Sequence, residues 1–311
     1  METILNLLLL DDARREAFSR AAAGHEQIFA PEGVLEATGQ PLPREEYARA
    51  TVILGNPPAA YLAENRVLRL LQTWSAGVDT YEAPGVLPEG ALLRSAVGAY
   101  GHSVSEHMFA MLLSVMKRLS EYRDAQREGR WADLGPAKTL QGARVLCVGT
   151  GDLGSSFARL CKALGAVTAG VRRDPTKTAD GVDEMYGMSE LDRLLAEADV
   201  VSLMLPHSAE TYHLIDERRL RLMKEDAILL NGGRGTAVDC DALAKVLSEG
   251  RLWGACLDVT EPEPLPPGHP LWRSPRALLT PHVAGGYHLS DTAGRIADIA
   301  LGHLKEFLET R

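Results

Sequence analysis

Three short segments place reactive side chains just beyond apolar runs that read as strands. Leu229-Leu230-Asn231-Gly232-Gly233-Arg234-Gly235 carries an arginine. Leu257-Asp258-Val259-Thr260-Glu261-Pro262-Glu263-Pro264-Leu265-Pro266 carries carboxylates. Thr280-Pro281-His282-Val283-Ala284-Gly285-Gly286 carries a histidine. In a doubly wound sheet, ligands bind outside the carboxyl ends of the strands. An arginine, a glutamate and a histidine on three strand ends can therefore converge. Arginine offers forked, permanently charged donors, and an imidazole titrates near neutral pH and can move a proton. Taken singly, each also fits an ordinary surface or loop residue, and Glu261 and Glu263 both fit a solvated, proline-rich turn. It is their joint occurrence that points to a site.

A fourth segment supplies a partner for such a site. Val145-Leu146-Cys147-Val148 runs directly into Gly149-Thr150-Gly151-Asp152-Leu153-Gly154, a G-x-G-x-x-G run between a strand and a helix. Gly149 allows the tight turn, Gly151 lets a pyrophosphate approach the backbone, and Gly154 lets the helix pack on the strand. The helix N-terminus adds unpaired N–H groups and partial positive charge. A dinucleotide that uses a ribose 2′-hydroxyl wants an acid at the end of the second strand. Here Val167–Val171 ends in Arg172-Arg173, and Asp174-Pro175 reads as a turn two residues further on. Two arginines suit a 2′-phosphate, so NADP(H) is favoured and NAD(H) remains possible; the plain alternative is a solvated pair.

The elements that must position these residues alternate regularly. Val145–Val148, Val167–Val171, Val200–Leu205, Ala227–Leu230, Ala255–Leu257 and Leu278–Thr280 read as six strands separated by helix-length segments, enough for a complete dinucleotide-binding sheet. Upstream, Leu5–Leu10, Val52–Leu54 and Leu68–Thr73 read as strands of a parallel α/β unit, with a helix capped by Asp11 or Asp12 that runs through Phe18 and stops near Gly24. His102 to Leu119 reads as a helix apolar on most faces, buried between layers or subunits, and Glu121–Arg130 follows as a charged segment. The last helix, Leu289 to Leu308, comes after the sixth strand and can cross back to the first unit. Trp74, Tyr100 and Trp131 read first as core packing. His102 with His107, and His207 with His213, lack the spacing of a metal pair on a helix, and no G-x-S-x-G nucleophile elbow occurs.

With these motifs in order, the chain resembles the D-isomer-specific 2-hydroxyacid dehydrogenases, a family that includes glyoxylate/hydroxypyruvate reductases, phosphoglycerate dehydrogenase and D-lactate dehydrogenase. Ser75-Ala76-Gly77-Val78-Asp79 looks like the family's substrate-carboxylate loop, and Val104-Ser105-Glu106-His107 like the opening of its interdomain helix. The resemblance implies a Rossmann-type doubly wound domain at 99–283 and a smaller flavodoxin-like α/β substrate domain from 1–98 and 284–311, with the active site in the cleft between them. It implies Arg234 as the substrate-binding arginine, Glu263 (by the Glu-Pro-Leu-Pro register) as the acid paired with histidine, and His282 as the acid/base. Substrate would be held by Ala76, Gly77, Val78, Arg234 and His282. Cofactor would be held by Gly149, Gly151, Asp152, Leu153, Gly154, Arg172, Arg173, Pro206, Gly233 and Asp258. The implied reaction is NAD(P)H-dependent reduction of a small 2-oxo acid, glyoxylate- or hydroxypyruvate-like, to the D-2-hydroxy acid. A nucleotide-sensing corepressor on the same fold and a phosphoglycerate dehydrogenase-like enzyme are the alternatives; because the sequence ends at Arg311, the extra regulatory domain of some of the latter is not expected. A homodimer is implied, with the helix from His102 and the Trp131 region at its interface. Two departures stand out: Gly233, often alanine in the family, reads as a more permissive loop, and Thr260 replaces a common aromatic.

Composition narrows the setting. The 311 residues are about twice the ~150 of a typical domain. With 33 basic and 42 acidic residues the formal charge is −9, which argues against a nucleic-acid partner. Apolar residues make up 45%, ample for a core. Four cysteines without a CxxC make neither a disulfide framework nor a zinc site, and a reduced cytoplasmic setting is expected. No run approaches the ~18 apolar residues of a membrane span, and no signal peptide is read.

Overall fold

The computed structural model describes residues 1–31, 42–286 and 289–310; Arg311 lies outside them. The chain forms two compact units, residues 1–100 with 287–311 and residues 101–286.

The first unit is built on a five-stranded parallel sheet of β1 (Thr3–Asn6), β2 (Glu26–Phe29), β3 (Val52–Leu54), β4 (Leu70–Gln72) and β5 (Leu92–Arg94), in the order β2-β1-β3-β4-β5. This is the flavodoxin-like order. Alternation along the strands sends Ile4, Val52, Leu54 and Leu70 to one face and Leu5, Ile53 and Leu71 to the other. The first face is covered from both ends of the chain: helix Asp12–Ala21 brings Phe18, and helix Ser290–Glu309 brings Ala297, Ala300, Leu304 and Phe307. Asp11 caps the first helix, its side chain accepting from the Arg14 N–H at 2.7 Å.

The second unit holds a seven-stranded parallel sheet: β6 (Arg144–Val148), β7 (Val167–Val171), β8 (Glu184–Tyr186), β9 (Val200–Leu203), β10 (Ile228–Asn231), β11 (Gly254–Leu257) and β12 (Ala277–Leu279). Its order, β12-β11-β10-β9-β6-β7-β8, is the doubly wound dinucleotide-binding order with one strand added at the β11 edge. Helix Gly101–Met116 is apolar because it packs within this unit. Met108 would obstruct a Cβ at Gly232 beyond β10, Val115 one at Gly254 in β11, and Phe109 meets Phe157 edge-on at 6.4 Å. Packing between layers thus buries much of this helix.

Three strands escaped the sequence reading, and all three lie at sheet edges. Glu26–Phe29, Leu92–Arg94 and Glu184–Tyr186 are part-exposed and carry Glu26, Arg94 and Glu184, so they lack a continuous apolar run. The dinucleotide sheet accordingly has seven strands, not six. The first strand also ends sooner than expected: Asn6 turns its side chain back to accept from the Leu8 N–H at 3.0 Å. Trp131 is fully exposed, not core, on the irregular stretch after helix Leu119–Arg127. All four cysteines are buried free thiols, and burial pushes the Cys147 thiol up to about 12. Among the described residues no helix is long and apolar enough to cross a membrane.

Candidate active site

Parallel register aligns the strand ends of the second unit. Val171 pairs Val148, Val148 pairs Leu203, Leu203 pairs Asn231, Asn231 pairs Leu257, and Leu257 pairs Leu279. The glycine loop, Arg172, Pro206, Arg234, Glu263 and His282 thus all leave one edge of one sheet.

The glycine loop has the form a pyrophosphate requires. Gly149 sits at φ 89°, and a Cβ there would lie 2.5 Å from the Met204 carbonyl oxygen. At Gly154 a Cβ would lie 1.9 Å from the Gly149 carbonyl oxygen, so the helix Asp152–Ala163 can start this close to β6 only without side chains. Gly151 is the opposite case: a Cβ there would meet no protein atom within 4 Å, so the loop faces open space at the point where a phosphate would sit. The residues present therefore fit a dinucleotide. Asp152 turns its side chain toward Gly101, and Leu153 follows in the first turn of the same helix.

Beyond β7, Arg172 is half-buried and Arg173 exposed, and neither guanidinium has an ion-pair partner among the described residues. The carboxylate of Asp174 is engaged locally: it accepts from Thr176 Oγ1 at 2.6 Å and the Thr176 N–H at 3.2 Å. Those bonds hold its pKa below the ordinary value. Lys177 Nζ lies 4.0 Å from the same carboxylate, and the charge of Arg172 adds to the lowering.

Beyond β10, buried Asn231 splints the loop. Its Nδ2 donates to the Arg234 carbonyl at 2.9 Å, and its Oδ1 accepts from the Gly233 N–H at 3.2 Å. Arg234 is half-buried, with Nη1 donating to the Gly233 carbonyl at 3.0 Å. The reading of Gly233 as merely permissive is corrected by the structure: a Cβ there would lie 2.6 Å from both N and O of Leu205. A side chain here would force the loops after β9 and β10 to shift apart, next to Pro206, whose carbonyl accepts from Thr211 Oγ1 at 2.8 Å. Gly235 is as constrained, its Cβ position lying 1.9 Å from the Thr260 carbonyl oxygen.

Beyond β11 and β12 the two carboxylates separate. Glu263 Oε1 lies 2.6 Å from His282 Nδ1, both side chains about half exposed. Glu261 Oε2 instead lies 2.6 Å from His213 Nε2. His282 occupies the left-handed region at φ 53°, at a cost of about 1–2 kcal/mol for a non-glycine residue. Asp258 offsets it. Its carbonyl accepts from the His282 N–H at 2.7 Å, and its buried carboxylate accepts from Val283 N–H and Ala284 N–H at 3.0 Å each and from Thr280 Oγ1 at 2.5 Å. Asp258 therefore stands at the centre of the histidine loop, its carboxylate hydrogen-bonded to that loop and its strand.

In the first unit, Ala76, Gly77 and Val78 follow β4 in a loop whose carbonyls are tied back. Trp74 O accepts from Tyr100 Oη at 2.5 Å, Ser75 O from Thr73 Oγ1 at 2.8 Å, and Gly77 O from Ser75 Oγ at 2.6 Å. Asn56 braces the same loop: its Oδ1 accepts from the Trp74 N–H at 2.8 Å and its Nδ2 donates to Ser75 Oγ at 2.9 Å. The bracing roles of Asn56 and Asn231 and the pairing of His213 with Glu261 were not read from the sequence, where nothing distinguishes a bracing amide or imidazole from a surface one. Among the described residues no cluster of histidine, cysteine and acid groups can hold a metal ion.

Fold and site together define an α/β dinucleotide-binding protein that places an imidazole–carboxylate couple on the cofactor edge of its sheet. A sequence profile of the D-isomer specific 2-hydroxyacid dehydrogenase NAD binding domain matches residues 109–284. A glyoxylate reductase of Thermofilum pendens is 34% identical over 244 residues, covering 76% of this chain and 71% of that one. Glyoxylate/hydroxypyruvate reductase B of an Enterobacter species is 30% identical over 311 residues, covering 97% and 93%. The crystal structure of a D-isomer specific 2-hydroxyacid dehydrogenase family protein from Aeromonas salmonicida superposes with a TM-score of 0.83 at 31% identity, covering 100% of this chain and 97% of that one. The chain belongs to the D-isomer-specific 2-hydroxyacid dehydrogenase family. It is an NAD(P)-dependent oxidoreductase.

Proposed function

We propose that the protein reduces a small 2-oxo acid, glyoxylate- or hydroxypyruvate-like, to the D-2-hydroxy acid, with NADPH preferred over NADH. The observation that carries this reading is the 2.6 Å contact between His282 and Glu263 on the sheet edge that also bears the glycine loop. When bound, the nicotinamide supplies the hydride that reduces the carbonyl carbon. The loop from Gly149 to Gly154, with Pro206 and Gly233 beside it, would hold the dinucleotide, and Arg172 with Arg173 its 2′-phosphate. Arg234 holds the substrate carboxylate and polarises the carbonyl oxygen. Glu263 fixes the tautomer and orientation of the His282 ring; His282 donates the proton the developing alkoxide needs, and in the reverse direction accepts it.

The similarity to glyoxylate and hydroxypyruvate reductases supports the substrate class, and the adjacent arginines beyond β7 support the 2′-phosphate. Replacing His282 by Ala tests the assignment. Reduction falls by about 10²–10⁴-fold, the usual worth of a general acid, while cofactor affinity changes less than about threefold. Retained turnover in His282→Ala sinks the acid/base role. A wild-type protein that binds NADPH tightly and turns over no 2-oxo acid is instead a nucleotide sensor.

A further inference from the structure

We infer that His107 is a positioning residue for His282, acting through Thr280 and Asp258; this rests on the acid/base reading above. Helix Gly101–Met116 presents Ser103 and His107 one turn apart. Ser103 Oγ donates to the Ala284 carbonyl at 2.8 Å and the Gly285 carbonyl at 2.9 Å. His107 Nε2 lies 3.0 Å from Thr280 Oγ1. The two side chains grip the loop on either side of His282.

The direction of the chain of bonds follows from chemistry. The Asp258 carboxylate can only accept, so the Thr280 hydroxyl donates its single hydrogen to Asp258 Oδ1 at 2.5 Å. The Thr280 oxygen must then accept, and His107 Nε2 carries the hydrogen it accepts. His107 Nε2 is itself 3.7 Å from Asp258 Oδ1, so the ring stands over the carboxylate as well as over the hydroxyl. Asp258 spends its remaining bonds on the Val283 and Ala284 N–H groups, and its backbone carbonyl holds the His282 N–H. The Nε2–H of His107 therefore starts a one-way series that ends at the backbone holding His282 left-handed beside Glu263. Without that donor Thr280 can rotate, Asp258 loses its anchor to the helix, and the imidazole is free to leave the proton-transfer geometry, where a displacement of ~1 Å is costly.

The test uses the full-length enzyme and follows kcat and KM for the 2-oxo acid, with cofactor affinity and Tm measured alongside. His107→Leu is expected to lower kcat about tenfold or more, with KM and cofactor affinity within about threefold. His107→Gln, which keeps a donor, is expected to recover kcat to within about threefold of wild type. Thr280→Val is expected to match His107→Leu, Thr280→Ser to stay near wild type, and the double variant His107→Leu/Thr280→Val to be no worse than the worse single, because both cut one series. Three results overturn the inference: wild-type kcat in His107→Leu, a glutamine variant as slow as the leucine variant, or losses that multiply in the double variant. His282→Ala, run in parallel, separates the two failures. If it retains turnover, the acid/base reading falls; if it is inactive while His107→Leu is not, only the positioning role falls.

Discussion

Two glutamates two residues apart each contact an imidazole, and the proposed mechanism uses only one of them. Converting Glu263 to Gln removes the charge next to His282 and keeps the side-chain size and an accepting oxygen. The contact is 2.6 Å between heavy atoms and both groups are about half exposed, so the effective separation of charge centres is about 4 Å and the dielectric lies between protein surface and water. Coulomb's law then gives about 1 kcal/mol at water's dielectric and about 4 kcal/mol at a surface value of 20, and exposed pairs lie near the lower figure. A loss of about 1–3 kcal/mol in the contact that holds the His282 ring in its donating orientation corresponds to a fall in kcat of roughly 5- to 150-fold. Glu261→Gln breaks only the contact to His213, and its expected kcat lies within about threefold of wild type. The assay is steady-state oxidation of NADPH by a saturating 2-oxo acid, with fluorescence titration of the cofactor as the control for site integrity. A Glu261→Gln enzyme slower than Glu263→Gln would refute the assignment of the couple.

Other outcomes follow from the same structure. Replacing Arg172 and Arg173 by Ala should weaken NADPH by about tenfold or more, two lost charge-assisted contacts, and leave NADH within about twofold; equal losses for both cofactors would contradict the phosphate role. Gly151→Ala should leave Tm nearly unchanged, because its Cβ meets no protein atom, yet raise the cofactor Kd by about tenfold where the pyrophosphate needs that space; unchanged affinity would place the pyrophosphate elsewhere. His303 titrates below its ordinary 6.5, first because burial disfavours its charged form and then because Arg94 repels it, while its Nδ1 meets Gln72 Oε1 at 2.5 Å. The unfolded chain binds that proton more readily, so its contribution to stability is full above pH ~6.5 and is lost as pH falls below it. His303→Gln should show a shallower acid-side loss of stability in chemical denaturation between about pH 7 and 5, by at most ~1.4 kcal/mol per pH unit for one proton; an unchanged slope would contradict it.

Legibility in the sequence tracked physical cause. Strands buried on both faces, such as Val200–Leu203 and Ile228–Asn231, announce themselves as apolar runs, whereas the edge strands β2, β5 and β8 do not. The glycine loop was legible because its steric demands can be met only by glycine at Gly149 and Gly154. The same kind of constraint at Gly233 was misread, since the contact that forbids a Cβ comes from Leu205, on another strand's loop. Glu263 was separated from Glu261 only by family register; the structure gives the physical difference, since each carboxylate meets a different imidazole. His107 drew notice only as part of a helix opening and as half of a histidine pair with the wrong spacing for a metal. Its role depends on Thr280 and Asp258, distant in sequence and joined to it by side-chain bonds that no local pattern encodes.

The most direct test of the central claim is the product itself. Purified protein is incubated with NADPH, and separately with NADH, against a panel of small 2-oxo acids beginning with glyoxylate and hydroxypyruvate, and any chiral product is resolved. Stoichiometric oxidation of NADPH, faster than of NADH, with formation of the D-2-hydroxy acid is the predicted result. Formation of the L-enantiomer, or tight NADPH binding with no turnover of any 2-oxo acid, would contradict it.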